Sequence, residues 1–198
     1  MDHEWLSGAA VGSPAPDEWP ARLTTAVTAV AGTGPGDLLL VNPHPDTWNN
    51  WQLPYASYSS PNETQPGSFE QLERLLRTAV DVSSPDVIDT AQADISSLLG
   101  SQVSLEPVGE LETFALRFSK TAGVWTGYRF IYLSARLAEA PDKLKPTYLD
   151  LVGDELAGAV TSRTLDGVAL SDNVWELLQD PSLLAGLKGL LRQARRGA

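Results

Sequence analysis

Between Trp51 and Gly100 the chain sets out an extended segment followed by two capped amphipathic helices, an order that confines the fold to helices layered on a sheet. Trp51 to Tyr58 (WQLPYASY) reads as extended. Pro54 marks a sheet edge or a bulge there, because its nitrogen cannot donate to a ladder. Pro61 to Gly67 reads as a loop. Ser68 then caps a helix of about 13 residues, with Gln71 three positions on as capping-box partner. Its apolar residues Phe69, Leu72, Leu75, Leu76, Ala79 and Val80 recur at the spacing of one helix face. The second helix has Ser84 at the N-cap, Pro85 at the first helical position and Gly100 just past the end. Val87, Ile88, Ala91, Ile95, Leu98 and Leu99 form its apolar face.

The flanks supply the strands. LTTAVTAVA (Leu23 to Ala31) is small and β-branched, and DLLLVN (Asp37 to Asn42) is a continuous apolar run suited to a central strand. Gly32 to Gly36 between them reads as the turn of a hairpin. Val103 to Glu106, Glu110 to Ser119 and Gly127 to Ala135 alternate as strands. Asp154 to Val160 reads as a short helix, Ser171 caps a helix through Gln179, and Pro181 begins a last amphipathic helix. Residues 1–19, rich in Gly, Pro and Ala, read as a loose arm that Trp5 and Trp19 pin to the body.

Composition narrows the function. With 198 residues, 42% hydrophobic and 20% charged, the chain has a core of its own and reads as one domain over residues 20–198. No run is long and apolar enough to cross a bilayer, and no basic-then-apolar leader opens the chain. The absence of cysteine excludes disulfides and thiolate metal sites and fits a cytoplasmic protein. A formal charge of −11 argues against nucleic acid and anionic membrane as partners, since both recruit cations. The late cations Lys188, Arg192, Arg195 and Arg196 favour the C-terminal dipole of the last helix.

In order, Leu38-Leu39-Leu40-Val41, Trp51-Gln52-Leu53-Pro54, Ala91 to Gly100 (AQADISSLLG) and Glu110 to Leu133 resemble the Nudix hydrolase family. They match its apolar strand, its Trp-x-Leu-Pro turn, its helix ending in Gly and the strand pair that follows. The resemblance implies an α/β Nudix-like α/β/α sandwich with a mixed sheet. Residues 59–83 would then be an insertion carrying an extra helix, and 181–198 a C-terminal helix. It also implies hydrolysis of nucleoside diphosphate derivatives by carboxylate-held Mg²⁺. Of the family's helix carboxylates only Asp94 remains, one shortened acid in place of a set. Where the family has Arg-Glu and Glu-Glu on its helix, this chain has Ala93-Asp94 and Ser97-Leu98, and the two glycines after Leu-Pro are Tyr55 and Ala56. A rival alignment on the earlier helix offers Glu70 and Glu73 one turn apart, with Leu75, Leu76 and Ala79 where glutamates belong.

Three readings follow. In the first, a catalytically degenerate domain binds a nucleotide-type ligand or serves as a sensing or adaptor module, with no cofactor. Trp48, Asn50, Trp51, Tyr55 and Tyr58 are its candidate contacts, rings for stacking and amides for edge hydrogen bonds, against the alternative that these rings pack the extra helix onto the sheet. In the second, Glu63, Glu70, Glu73 or Asp94 act as displaced acids around Mg²⁺. In the third, the cleft is vestigial and the surface binds a protein. The two histidines, His3 and His44, offer little for a triad or a zinc site, and Asp86, Asp89 and Asp94 lie along one helix, the first two in its opening turns where acids suit the dipole. Gly32 to Gly36 lacks the Lys of a phosphate loop. Trp125 and Tyr128 are candidates for an exposed contact patch, and Trp175 for the core.

Overall fold

The computed structural model describes residues 21–32, 36–43, 45, 50–64, 67–119, 124–151, 164–165 and 168–196. Its strands are β1 (Ala21–Val30), β2 (Asp37–Leu40), β3 (Tyr55–Thr64), β4 (Val103–Ser119), β5 (Val124–Leu137), β6 (Thr147–Asp150), β7 (Thr164–Leu165) and β8 (Val168–Ala169). The helices are α1 (Phe69–Ala79), α2 (Pro85–Leu99), α3 (Asp172–Gln179) and α4 (Pro181–Arg196). The main sheet runs β3-β1-β5-β4, with β1 parallel to β5 and the outer pairs antiparallel. It is a mixed sheet with helices on both faces, the α/β/α arrangement the sequence implies.

The helix boundaries follow their caps. Ser68 Oγ accepts from the Gln71 N–H at 3.2 Å, and Gly100 ends α2 at φ 69°, a left-handed conformation that only glycine enters cheaply. Asp180 joins α3 to α4 directly: its Oδ1 accepts from the N–H groups of Ser182 (2.7 Å) and Leu183 (3.1 Å).

Alternation along the strands decides which helix covers which face. Val27, Ala29, Ile131 and Leu133 lie under Ile88, Ala91, Ile95 and Leu99 of α2. On the same face α1 closes over β5, where the Arg129 Nη1 donates to the Arg77 carbonyl at 3.2 Å. The opposite side chains, Val30, Tyr132 and Ser134, meet α4, and Ser134 Oγ donates to the Leu190 carbonyl at 2.8 Å. Among the described residues no helix is long and apolar enough to cross a membrane.

The expected hairpin between the first two strands does not form. β1 has both hydrogen-bonding edges taken, by β3 and β5, so β2 pairs instead with β6 in a separate two-stranded sheet. One bond, from the Leu39 N–H to the Ala31 carbonyl (2.8 Å), ties the two together. β2 is as apolar as expected, with Leu38, Leu39, Leu40 and Val41 all 0% exposed. Residues 61–64 continue β3 instead of forming a loop. Pairing there jumps from Thr24–Ser59 to Arg22–Glu63, a bulge that holds Pro61 on an edge strand, where its missing N–H breaks no ladder. The two expected strands at 103–119 are one strand, with an irregularity between Glu106 and Leu111. The expected arm and the helix at 154–160 lie outside the described residues.

Candidate functional site

On the α3–α4 side of the sheet, three strands shape a concavity. Thr24 on β1 pairs with Ser59 on β3 and Tyr128 on β5, and Ala26 pairs with Ser57 and Phe130. Each row therefore runs hydroxyl, small residue, aromatic. The small central residues leave a trough between a hydroxyl wall and a ring wall, which an aromatic at position 26 would fill. Thr24 Oγ1 and Ser59 Oγ share a hydrogen bond of 2.9 Å, and the Tyr128 and Phe130 rings stack at 5.7 Å and 14°.

The trough widens into a pocket of about 450 Å³, closed at its rim by Asn42, Pro43, Asn50, Gln52, Tyr55, Ser171 and Asn173. Backbone pairing sets this rim. Gln52 exchanges hydrogen bonds with Val41 (2.8 and 2.9 Å), and Trp51 takes the Ser171 N–H (2.9 Å) while donating to Ala169 (2.8 Å). The start of α3 is thus fastened to the segment that leads into β3. Ser171 Oγ donates to Asn173 Oδ1 at 2.7 Å, which fixes the orientation of that buried amide. Every described lining side chain is neutral.

Of the sequence candidates, Asn50 and Tyr55 line this pocket, and Tyr55 is exposed at its mouth. Trp51 is half-buried and packs against the core, with its main chain serving the rim. Tyr58 points to the opposite face, as its pairing with Thr25 dictates, and its hydroxyl donates to the Val87 carbonyl at 3.4 Å. Trp48 and the side chain of Glu63 lie outside the described residues. Tyr128, expected at a contact patch, is part of the pocket wall, whereas Trp125 and Trp175 pack against the core.

The candidate acids are dispersed. Asp94 is exposed on α2, which lies across the sheet from the pocket. Glu70 pairs with Arg74 (3.2 Å) and Glu73 with Arg77 (3.5 Å), both one helical turn apart on α1. Among the described residues no three His, Asp or Glu side chains gather where they could hold a metal ion. The described donors thus do not assemble the Mg²⁺ cluster that the sequence resemblance implies.

Asp94 does leave an electrostatic mark. Burial, and secondarily the Asp94 carboxylate, hold the Tyr58 phenol above its ordinary 10.0. A raised folded pKa favours the protonated phenol in the native state. Its stabilising contribution is full below the unfolded value and is lost as pH rises through the folded one. Tyrosinate absorbance titration, with Tyr58→Phe as the assignment, is expected to show this tyrosine ionising later than an unperturbed one. Asp94→Asn should bring its midpoint down, and an unmoved midpoint would separate the two groups.

Nothing local in the sequence singles out Thr24, Ala26, Ser57 or Ser59. They become a site only through the β3-β1-β5 neighbourhood, and the one available signal was the abundance of small residues in the β1 and β3 segments. No family model and no curated protein sequence matches this chain. Among solved structures it is similar to the E. coli ORF135 protein, at 12% identity and TM-score 0.42 over 90% of this chain and 96% of that one. It is similar also to the C. elegans Ap4A hydrolase (12% identity, TM-score 0.34, 85% and 97% covered). RenU, a Nudix hydrolase from M. smegmatis, has 13% identity and TM-score 0.35, with 84% and 88% covered.

Proposed function

We propose that this domain binds a nucleotide-type small molecule in the β3-β1-β5 pocket and does not hydrolyse it. One observation carries the reading: the pocket combines a stacked aromatic wall with amide and hydroxyl side chains, and no described lining residue is an acid or a base. Rings offer a face to a planar base, and each amide presents both donor and acceptor to its edge. Attack on a phosphoanhydride needs carboxylates that place a divalent ion and activate water. Asp94, Glu70 and Glu73 stand on helices of the other face and supply neither to this pocket.

Thermal unfolding of the full chain against nucleosides, nucleotides and nucleotide sugars, with and without Mg²⁺, tests this. A ligand at about one hundred times its Kd stabilises by about 2.7 kcal/mol, a rise of roughly 5 °C or more for a chain of this size. The expected result is such a rise, independent of Mg²⁺, with no phosphate released. Magnesium-dependent phosphate release would restore the hydrolase.

A further inference from the structure

We infer that the pocket reads a keto oxygen on the base of its ligand and discriminates against an amino group in the same place, with Asn173 as the residue that decides; this rests on the reading of the pocket given above. Polarity separates Asn173 from its neighbours. The Thr24 and Ser59 hydroxyls share one hydrogen bond in which either can donate, so that wall imposes no direction. Asn50, exposed at the rim, can turn either end of its amide to a ligand. Asn173 is 6% exposed, and its Oδ1 already accepts from Ser171 Oγ at 2.7 Å. What it has left to offer the pocket is its amino group, a donor.

The start of α3 keeps it so. The Ser171 N–H donates to the Trp51 carbonyl at 2.9 Å, which holds that residue at the rim, and its hydroxyl makes no cap hydrogen bond to the helix. The hydroxyl directs its proton to Asn173 instead. Turning the amide over would take that acceptor from a serine only 8% exposed.

Nucleobases divide on this polarity. Hypoxanthine and uracil carry a keto oxygen where adenine and cytosine carry an amino group. A keto oxygen accepts from the Asn173 amino group, while Asn50 and Gln52, with a donor and an acceptor each, complement the ring nitrogen beside it. An exocyclic amino group sets donor against donor and leaves both without an acceptor. A mismatch of this kind rejects a ligand more strongly than a poor apolar fit does.

Calorimetric titration of the full chain with inosine against adenosine, and uridine against cytidine, decides the matter. Nucleosides keep phosphate out of the comparison, and with it the Arg22 cation, which lies one row from Thr24 on the same sheet face. In at least one pair the keto nucleoside is expected to bind about tenfold more tightly. Ser171→Ala releases the amide and should bring that ratio near one. Asn173→Asp puts an acceptor in place of the donor and should favour the amino nucleoside, each variant being compared in a chain that still unfolds cooperatively. Equal affinities within both pairs, or a preference for the amino partner in the unaltered chain, overturn the inference and leave the nucleotide reading standing. A ratio that Ser171→Ala does not move overturns the assignment to Asn173. If no nucleoside binds, the 5′-monophosphates repeat the same pairs, and if they too fail to bind, the pocket reading itself falls.

Discussion

Replacing Glu112 with alanine is expected to lower the unfolding free energy by about 3 kcal/mol, because it strands a buried arginine. Arg129 Nε donates to Glu112 Oε2 at 2.9 Å, and the Arg129 side chain is only 8% exposed. The other oxygen of the same carboxylate accepts from Arg77 Nε at 3.0 Å, and the Arg77 guanidinium lies over the Phe114 ring, 4.7 Å from its centroid. One carboxylate thus compensates two guanidinium groups and fastens α1 to the β4–β5 pair. Without it, Arg129 keeps the Arg77 carbonyl as acceptor but has lost its opposite charge. The value belongs at the low end for such pairs, since Glu112 itself is 24% exposed. Urea unfolding of Glu112→Ala, Arg129→Met and the double variant would measure it. The double variant should be less destabilised than Glu112→Ala alone, as it leaves no buried guanidinium without its countercharge. A loss below about 1 kcal/mol for Glu112→Ala would reduce the network to an ordinary surface ion pair.

The difference between what the sequence announced and what it concealed has a physical basis in these same elements. Helix positions were legible because caps and apolar spacing are local. Ser68, Ser84 with Pro85, and Gly100 bound their helices as expected, and Ile88, Ala91, Ile95 and Leu99 are the buried stripe of α2. Strand partnership was not legible, because pairing depends on which edges remain free. The Leu38–Val41 run reads as a central strand whether it lies beside β1 or, as it does, beside β6. A second consequence is the division of the aromatic cluster. Tyr55 and Tyr58 are three residues apart on one extended strand, so they face opposite sides of the sheet, Tyr55 at the pocket and Tyr58 against α2. Aromatic density alone could not separate them, whereas strand parity does once β3 is known to begin at Tyr55. The acids obey the same logic. Asp94 belongs to a helix whose apolar stripe fixes it on the far face, and no local feature of AQADISSLLG says where a pocket lies.

Leu72→Ala should cost about 3 kcal/mol, within the range for truncating a fully buried leucine, and the same site supplies its own rescue. Leu72 is 0% exposed, in one cluster with Leu23, Leu76 and Phe114, so α1 contributes to the core although it lies in the segment read as an insertion. Its methyl groups rest on Gly127. A Cβ on that glycine would come to 2.9 Å from Leu72 Cδ1, and the backbone there has no left-handed conformation to forbid one. Gly127→Ala alone therefore asks a buried side-chain end to move, at a cost of about 1 kcal/mol. In the Leu72→Ala background the added methyl enters the vacated space, and the strand loses its glycine. The pair should then unfold about 1 kcal/mol above Leu72→Ala alone, a positive coupling between residues in direct contact. Chemical denaturation of the two single variants and the double variant closes the cycle. Simple additivity would mean that α1 does not sit on β5 at this point, and the sheet face assigned to α1 would have to be given up with it.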